Sequence, residues 1–340
     1  MSLMAKLKKN SKVKLATELN KSEFFQDDEV VQTDVPMLNV ALTGSLDGGL
    51  TPGRTVLAGP SKHFKTSFAL KMAGAYMSAK PDSVMLFYDS EFGSPQAYFD
   101  NFGIDASRVL HTPITNVEEL KFDLVNQLEG MDKEDDVIIV IDSIGNLASK
   151  KELDDAIDEK SVADMSRAKS LKGFFRMVTP YLAMKNIPLL AINHTYKEIG
   201  LYPKDIVGGG TGIYYSANTI WIIGRRQNKT GTEVTGYDFV IKVEKSRFVK
   251  EQSKIPISVT WEGGINEMSG LLDVALASGH VIKPSNGWYQ KAGEDKKYRE
   301  KELDKSFWCA ILEDQDFQNY VRKAFTIGSE TVDLGIEVEE

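Results

Sequence analysis

Cysteine is nearly absent from the sequence. Its 340 residues include a single cysteine, Cys309, which cannot form a disulfide within the chain and indicates a reducing, cytoplasmic environment. Long apolar runs are missing too. No segment is long and apolar enough to span a membrane, and no apolar run of signal-peptide length follows the basic start MSLMAKLKKN. These absences argue against a disulfide-stabilised secreted domain and against a membrane protein.

An excess of positive charge is also missing. The net charge is −8, which argues against a protein that binds nucleic acid over a uniformly basic surface. The charge is nevertheless uneven, since residues 1–22 hold six lysines against one glutamate and residues 329–340 hold five acids and no base. Such ends are usually solvated tails, and their other common use is contact with charged polymers.

Short apolar segments alternate with helix-like segments in the first two thirds of the chain. Strands that are covered by helices on both faces are apolar along their whole length, so the pattern predicts an α/β fold with a mostly parallel central sheet. The predicted strands are residues 55–59, 84–90, 137–143, 187–193 and 219–224, and the predicted helices are residues 65–79, 117–130 and 161–184.

The pattern changes after Gly224. Hairpin-like strands are predicted over residues 237–248 and 255–261. From about residue 269 a shorter block of helices and aromatic residues begins, which predicts a small C-terminal α/β domain. We expect four parts: an N-terminal segment, a main domain, the small domain and an acidic tail, over residues 1–30, 31–268, 269–328 and 329–340.

The segment GPSKHFKT matches the phosphate-binding loop G-x-x-x-x-G-K-[ST] except at its sixth position. It lies between a predicted strand and a predicted helix, which is the context that this loop requires. Backbone N–H groups and the helix N-terminus would bind phosphates, Lys65 would reach the β- and γ-phosphates, and the Thr66 hydroxyl would bind Mg²⁺. An ordinary strand–turn–helix connection is the alternative. The predicted nucleotide-binding residues here are Gly59, Pro60, Ser61, Lys62, His63, Phe64, Lys65, Thr66 and Ser67.

Phe64 is the departure from the loop pattern. It stands where the pattern has glycine, and a positive φ at such a position strains a residue with a bulky side chain. Either the loop has a different local conformation, or packing around Phe64 holds the strained one.

Carboxylates follow two other predicted strands. Asp142 ends VIIVID, the usual place of the acid that holds Mg²⁺ in phosphate-loop proteins, although an aspartate that only caps the strand is the alternative. Glu91 follows LFYDS, where a carboxylate that faces the γ-phosphate would orient an attacking water, although a glutamate that lies only at the surface is the alternative. Asp89 is the next candidate for this role. Ligands of open α/β sheets bind at this edge of the sheet.

A fourth strand end and the segment after it complete the candidate site. Asn193 and His194 end the segment LLAINH, where one of them would sense the γ-phosphate, although a lone histidine there is more often structural. Residues 195–218 form a long, glycine-rich segment, and such loops in compact domains are usually functional. A surface loop without function is the alternative. The residues of this segment that would present N–H groups to phosphates are Gly208, Gly209, Gly210, Thr211 and Gly212.

Taken in order, these segments resemble the RecA-type strand-exchange recombinases, and most closely the phage UvsX recombinases. The resemblance covers nearly the whole chain, from LTGSLDGGLTPGRTVLAGPSKHFKTSF through LFYDSEFG, VIIVIDSIGNLASKKE and VGGGTG to IKVEKSR and GLLDVALASGHVIKPSNGWY. UvsX-like proteins tolerate an aromatic residue at the position of Phe64. The resemblance implies a RecA-like ATPase that uses ATP and Mg²⁺, forms a helical filament on single-stranded DNA and exchanges strands with homologous double-stranded DNA in recombination, repair and replication.

The resemblance also implies roles for individual residues. Lys65 and Thr66 would bind phosphate and Mg²⁺, Asp142 would hold Mg²⁺, and Glu91 would be the catalytic base. His194 occupies the γ-phosphate sensor position, where bacterial RecA has glutamine.

Further residues are implied outside the phosphate loop. Tyr98 aligns, with an offset of one residue, with a tyrosine that stacks on adenine. Lys245 and Arg247 match a pair of cations that reach the ATP of the neighbouring subunit, as an arginine finger does, and solvated strand-edge charges are the alternative. The segments 154–163 and 195–212 correspond to two DNA-binding loops.

DNA contacts and partners are implied as well. Arg167, Lys169 and Lys172, on the helix after the first loop, are candidates to contact DNA, although some of them are expected to be plain surface charges. Residues 1–30, which include Phe24 and Phe25, would form an N-terminal arm that packs on the adjacent subunit of the filament. A single-strand-binding protein and a recombination mediator are the expected protein partners, in the cytoplasm of a host cell.

Two other functions fit the same motifs. An ATP-gated relative that assembles on DNA with little turnover would act as a scaffold, and DNA-stimulated phosphate release would exclude it. A helicase with the same core would form closed hexameric rings instead of filaments, which electron microscopy would distinguish.

Overall fold

The computed structural model describes residues 2–22, 29–159, 166–198, 200, 203–230, 233–261 and 264–328. Its helices are α1 (Leu3–Asn10), α2 (Pro36–Thr43), α3 (Lys65–Ala79), α4 (Gln96–Asp100), α5 (Val117–Gly130), α6 (Lys150–Ile157), α7 (Ser166–Met184), α8 (Thr211–Ser216), α9 (Leu271–Ala277), α10 (Lys305–Glu313) and α11 (Gln315–Phe325). None of these helices has the length and apolar character needed to cross a bilayer. Its strands are β1 (Gly53–Ala58), β2 (Val84–Asp89), β3 (Val109–Pro113), β4 (Val137–Asp142), β5 (Pro188–Asn193), β6 (Thr195–Lys197), β7 (Asp205–Val207), β8 (Thr219–Thr230), β9 (Glu233–Lys245), β10 (Lys254–Thr260), β11 (Gly264–Ile265), β12 (Val281–Ser285), β13 (Trp288–Lys291) and β14 (Lys297–Tyr298).

A large sheet organises the described residues. Its nine strands lie in the order β11–β10–β9–β8–β1–β5–β4–β2–β3. The strands from β8 to β3 pair in parallel, whereas β8, β9, β10 and β11 pair antiparallel. The predicted α/β fold with a mostly parallel central sheet is therefore confirmed. A smaller antiparallel sheet, β12–β13–β14, lies in the C-terminal region.

Alternate residues of the central strands pack on opposite faces of the sheet. Leu57 and Phe87 belong to a hydrophobic cluster that includes residues of α2, α3 and the C-terminal helices. Val56 and Ile141 belong to a second cluster, with residues of α5 and α7. Because apolar groups cover both faces, each of these strands must be apolar at nearly every position, which is the signal that the sequence carries.

The structure differs from the sequence prediction where strands lie at an edge. Strand β3 was not predicted, because it is the edge strand of the sheet and exposes Leu110 to 46%. The hairpin of β8 and β9 is longer than predicted and reaches Thr230 and Glu233. The predicted helix over 161–184 is described from Ser166 onward as α7, and its first five predicted residues lie outside the described residues.

The two ends of the chain pack differently. Helix α1 has no buried residue, and the predicted arm residues Phe24 and Phe25 lie outside the described residues, as does the predicted acidic tail. Phe325 of α11 shares a hydrophobic cluster with Met37 of α2, so the C-terminal helices are continuous with the main core. The predicted division after residue 268 stays a prediction.

Candidate nucleotide-binding site

A cavity of about 320 Å³ lies at the carboxyl ends of β1, β2, β4 and β5. Residues that lie far apart in the sequence meet there because these strands run in parallel. All the lining residues except Ile192 are ones that the sequence predicted for this site. They are Ser61, Lys62, His63, Phe64, Lys65, Thr66, Ser67, Glu91, Tyr98, Asp142, Ile192 and His194.

The phosphate loop connects β1 directly to α3. A Cβ at Gly59 would lie 2.8 Å from a backbone oxygen of β8, so a side chain would not fit there. Lys65, the first residue of α3, is buried, and its Nζ donates to the carbonyl oxygen of Pro60 at 2.7 Å. Burial lowers the pKa of Lys65, and the carboxylates of Glu91 and Asp142 oppose that shift. The ammonium group therefore lies inside the loop, where phosphate oxygens would replace the carbonyl as its partner.

Phe64 has the strained backbone that its position requires. Its φ of 58° and ψ of 18° lie in the left-handed region, which is costly for a residue with a side chain. The ring stacks on Phe239 of β9 with centroids 5.0 Å apart and meets Phe68 of α3 edge-on at 5.5 Å. Of the two alternatives left by the sequence, packing therefore holds the strained conformation, through a residue of a distant strand.

Asp142 is a buried carboxylate with unused hydrogen-bonding capacity. It is 3% exposed, and the Thr66 hydroxyl donates to Oδ2 at 2.7 Å. Oδ1 is buried and has no hydrogen-bond partner among the described residues. Burial, reinforced by the charges of Glu91 and Asp89, raises the pKa of Asp142 to about 6, while Thr66 and Lys65 oppose the shift.

The oxygen atoms of Thr66 and Asp142 fit a magnesium site. Mg²⁺ prefers oxygen ligands and commonly takes only one or two from the protein, together with waters and nucleotide phosphates. No group of three or more acidic, histidine or cysteine residues in the described part of the chain forms a complete metal site. A cation here would therefore depend on phosphate oxygens as further ligands, and the unpartnered Oδ1 would receive a partner.

Glu91 and His194 line the cavity in direct contact with each other. Its Oε1 lies 3.1 Å from Nε2 of His194, and both side chains are about one third exposed. Asp89, the second candidate for the base, is 3% exposed and accepts the backbone N–H groups of Glu91 and Phe92 at 2.9 and 2.7 Å. Asp89 is absent from the cavity lining, so Glu91 is the better placed of the two carboxylates to act as the base.

Tyr98 lies at the side of the cavity near the start of α3. Its hydroxyl forms a hydrogen bond with the Ser67 hydroxyl, and its ring packs edge-on against Phe102 with centroids 5.7 Å apart. The ring is thus held beside the phosphate loop, which is consistent with the predicted contact with a nucleobase.

Lys245 and Arg247 do not line the cavity of their own chain. The register of β9 on β8 and of β8 on β1 puts Lys245 level with Val56, and the chain then continues away from the phosphate loop. Its Nζ donates to the carbonyl oxygen of Tyr214 in α8. Burial and the neighbouring charges of Arg247 and Arg54 lower the pKa of Lys245. The two cations therefore lie toward the amino ends of the parallel strands, opposite the phosphate loop.

A second cleft, of about 530 Å³, brings several predicted DNA-binding residues together. Gly208 donates its N–H to the carbonyl oxygen of His194 at 2.9 Å, which ties the glycine segment to the nucleotide cavity. Lys151 of α6 also lines this cleft, and the sequence does not predict it because its only signal is the basic pair at the start of α6. The cleft is lined by Lys151, Ser166, Ala168, Lys169, Lys172, Gly209, Gly210, Thr211 and Gly212.

Arg167, a predicted DNA contact, forms hydrogen bonds with the backbone of its own chain. Its Nε donates to the carbonyl oxygen of Leu147 at 2.6 Å, and its Nη2 donates to that of Gly145 at 2.8 Å. The guanidinium thus anchors the segment after β4, and its contact with DNA stays a prediction. In the predicted first DNA loop, residues 154–157 belong to α6, and residues 160–163 lie outside the described residues.

Comparison with known families decides the identity of the fold. The RecA N-terminal domain family matches residues 4–266. The chain belongs to the RecA family. A second family, described as the C-terminal domain of the recombination and repair protein of bacteriophage T4, matches residues 268–321 of this RecA-family chain.

Individual relatives agree with this assignment. The chain is 48% identical to the recombination and repair protein of Enterobacteria phage T4 over 338 residues, which cover 96% of this chain and 86% of the relative. It is 27% identical to Protein RecA of Lactobacillus delbrueckii subsp. bulgaricus over 94% of this chain and 87% of that protein, and 26% identical to Protein RecA of Frankia alni over 85% and 82%. The resemblance to RecA-type recombinases is therefore confirmed.

The stack on Phe64 can be tested with two substitutions. Phe64→Ala and Phe64→Gly both remove the aromatic contacts, but only glycine also relieves the left-handed backbone. We expect the alanine variant to have a lower free energy of unfolding than the glycine variant, by roughly 1 kcal/mol, in chemical denaturation. Equal stabilities would contradict a strained loop held by packing.

Asp142→Asn should stabilise the nucleotide-free protein. Because the pKa of Asp142 is raised to about 6, the folded state holds a proton that the unfolded state has lost, and stability falls as pH rises from about 4 to 6. Asparagine carries no charge and avoids this penalty. Above pH 6 the free energy of unfolding of the variant should therefore be higher by roughly 1–3 kcal/mol. Thermal denaturation should show a higher Tm for the variant at pH 8 and no difference near pH 4. A lower Tm at pH 8 would contradict an unpaired buried charge.

Proposed function

We propose that this chain is an ATP-dependent recombinase that forms a helical filament on single-stranded DNA and catalyses homologous pairing and strand exchange. The observation that carries the proposal is the meeting of Lys65, Thr66, Asp142, Glu91 and His194 around one cavity in a chain of the RecA family. Membership of this family implies, in general, an ATPase that depends on DNA. The assignment of individual residues belongs to the proposal.

The residues of the cavity have different proposed roles in the binding and hydrolysis of ATP. The loop N–H groups and Lys65 would bind the phosphates, with Tyr98 beside the base. Thr66 and Asp142 would hold Mg²⁺, which neutralises phosphate charge when bound. Glu91 would accept a proton from the attacking water at Oε1 or Oε2. His194 lies against Glu91 at 3.1 Å and would exchange that contact for one with the γ-phosphate.

The second cleft provides a path for DNA. Lys151, Lys169 and Lys172 surround a backbone segment that is rich in glycine, and such a surface binds phosphates without reading bases. Sequence-tolerant binding suits a protein that must accept any DNA and leave the bases free to pair. The net charge of −8 does not oppose this, since only the groove of the filament needs to be basic.

The N-terminal arm and further partners complete the proposal. Helix α1 exposes Leu3, Met4 and Leu7 to between 54% and 72%, and an adjacent subunit would bury these side chains. A single-strand-binding protein, a recombination mediator and action in the cytoplasm of a host cell remain proposals that rest on the family.

Strand exchange tests the proposal directly. With ATP, the protein should exchange strands between circular single-stranded DNA and linear duplex DNA, and single-stranded DNA should stimulate phosphate release. Lys65→Ala should abolish both activities and the filaments seen by negative stain. Lys71→Ala is the matched control, since Lys71 lies in the same helix and forms an ion pair with Asp34 at the surface. Closed rings, or DNA binding without turnover, would favour the helicase or the scaffold instead.

Lys245 and Arg247 should complete the site of a neighbouring subunit, because they lie opposite their own phosphate loop. Lys245→Ala and Glu91→Gln should each be nearly inactive, with hydrolysis reduced by roughly 100-fold or more. Mixing the two variants should restore part of the hydrolysis, since an interface can then pair an intact Glu91 with an intact Lys245. No recovery from variants that are shown to co-assemble would contradict action between subunits.

A further inference from the structure

The turn that contains Glu91 is held by hydrogen bonds to a buried carboxylate. Asp89, the last residue of β2, is 3% exposed. Its Oδ1 accepts the N–H of Glu91 at 2.9 Å and that of Phe92 at 2.7 Å. Phe92 has a φ of 54°, a left-handed conformation that needs support. The carboxylate of Asp89 thus holds the backbone of the turn at Glu91 and Phe92.

Asp89 is itself held by a histidine from the edge strand. Oδ2 of Asp89 lies 3.2 Å from Nε2 of His111 in β3. The strand register pairs His111 with Phe87, two residues before Asp89, and the two rings pack with centroids 5.7 Å apart. The side chain of His111 is about half exposed and lines a separate cavity of about 240 Å³ on this side of the sheet.

A second anchor holds the residue that precedes Glu91. Ser90 donates its N–H to the carbonyl oxygen of Asp142 at 2.8 Å, and its hydroxyl donates to the carbonyl oxygen of Ser143 at 2.8 Å. The backbone before Glu91 is therefore tied to β4, while Asp89 ties the N–H groups of Glu91 and the next residue. Neither Asp89 nor His111 lines the nucleotide cavity, so neither would touch ATP.

We propose that Asp89 and His111 form a positioning pair that aims the Glu91 carboxylate at the attacking water. The inference rests on the proposed role of Glu91 as the catalytic base. His111 orients the Asp89 carboxylate, Asp89 orients the turn, and a displacement of about 1 Å at the base lowers turnover strongly. The pair acts on the rate of hydrolysis and leaves nucleotide binding unchanged.

The test is ATP hydrolysis in the presence of single-stranded DNA. His111→Leu should lower kcat by roughly 10-fold and Asp89→Ala by roughly 100-fold, with Kd for a fluorescent ADP analogue within about 2-fold of the original value. His111→Gln, whose amide can donate at nearly the same place as Nε2, should recover most of the activity. Gln96→Ala is the matched control, since Gln96 lines the same cavity and would leave kcat unchanged.

A double substitution separates positioning from a purely structural role. In a Glu91→Gln background, His111→Leu should not lower the residual hydrolysis further, because the group that it positions is already lost. An additional 10-fold loss there, or a weaker nucleotide affinity together with a lower Tm for His111→Leu, would overturn the inference. If Asp89→Ala fails to fold, the His111 variants decide the question.

The proposed role of Glu91 as the base is tested separately from the positioning pair. Near-normal hydrolysis by Glu91→Gln would refute the proposed base, and the inference would fail with it. Slow hydrolysis by Glu91→Gln, combined with unchanged hydrolysis by His111→Leu, would refute the positioning pair alone.

Discussion

Parallel hydrogen bonding between neighbouring strands decides where the chemical groups of this protein meet. Because β1, β2, β4 and β5 run in the same direction, the residues after each strand emerge at one edge of the sheet. Lys65, Glu91, Asp142 and His194 come from four separate segments and line one cavity for this reason. The same alignment puts the positive end of α3 against that cavity, so that a single constraint provides both the groups and the electrostatic field for binding phosphate.

The site concentrates features that cost stability. Lys62, Phe64 and Phe92 have positive φ angles, and the Asp142 carboxylate is buried with one oxygen unpartnered among the described residues. Each such feature costs about 1–3 kcal/mol. Hydrophobic clusters on both faces of the sheet offset these costs and hold the loops in place. The strained loops hold their residues in the positions that a ligand would need. At Asp142, the ligand would provide the partner that Oδ1 lacks among the described residues.

The two ends of the parallel strands carry different groups. The nucleotide cavity lies at the carboxyl ends, whereas Arg54, Lys245 and Arg247 form a basic group toward the amino ends. One subunit therefore carries two different halves of the proposed interfacial site on two different surfaces. Surfaces that differ in this way associate head to tail, and such an association continues into a helix when it does not close into a ring. The exposed apolar residues of α1 are consistent with the same mode of assembly.

The sequence by itself determined the elements whose signal is local. The apolar strands, the phosphate loop and the acids that end strands could all be recognised, because burial on both faces and phosphate binding each demand a definite residue pattern. Even the departure at Phe64 was visible. The family assignment followed from the order of these motifs, and the comparisons bear it out.

Only the tertiary structure decided the features that depend on distant partners. Phe239, which holds Phe64, lies 175 residues further along the chain, and no local pattern links the two. Arg167 looked like a free cation in the sequence, yet its guanidinium binds backbone carbonyls. The contact of His111 with Asp89 depends on the pairing of β3, a short edge strand whose composition is ordinary. In each case the deciding contact joins residues that are separated along the chain, so it exists only once the sheet has brought them together.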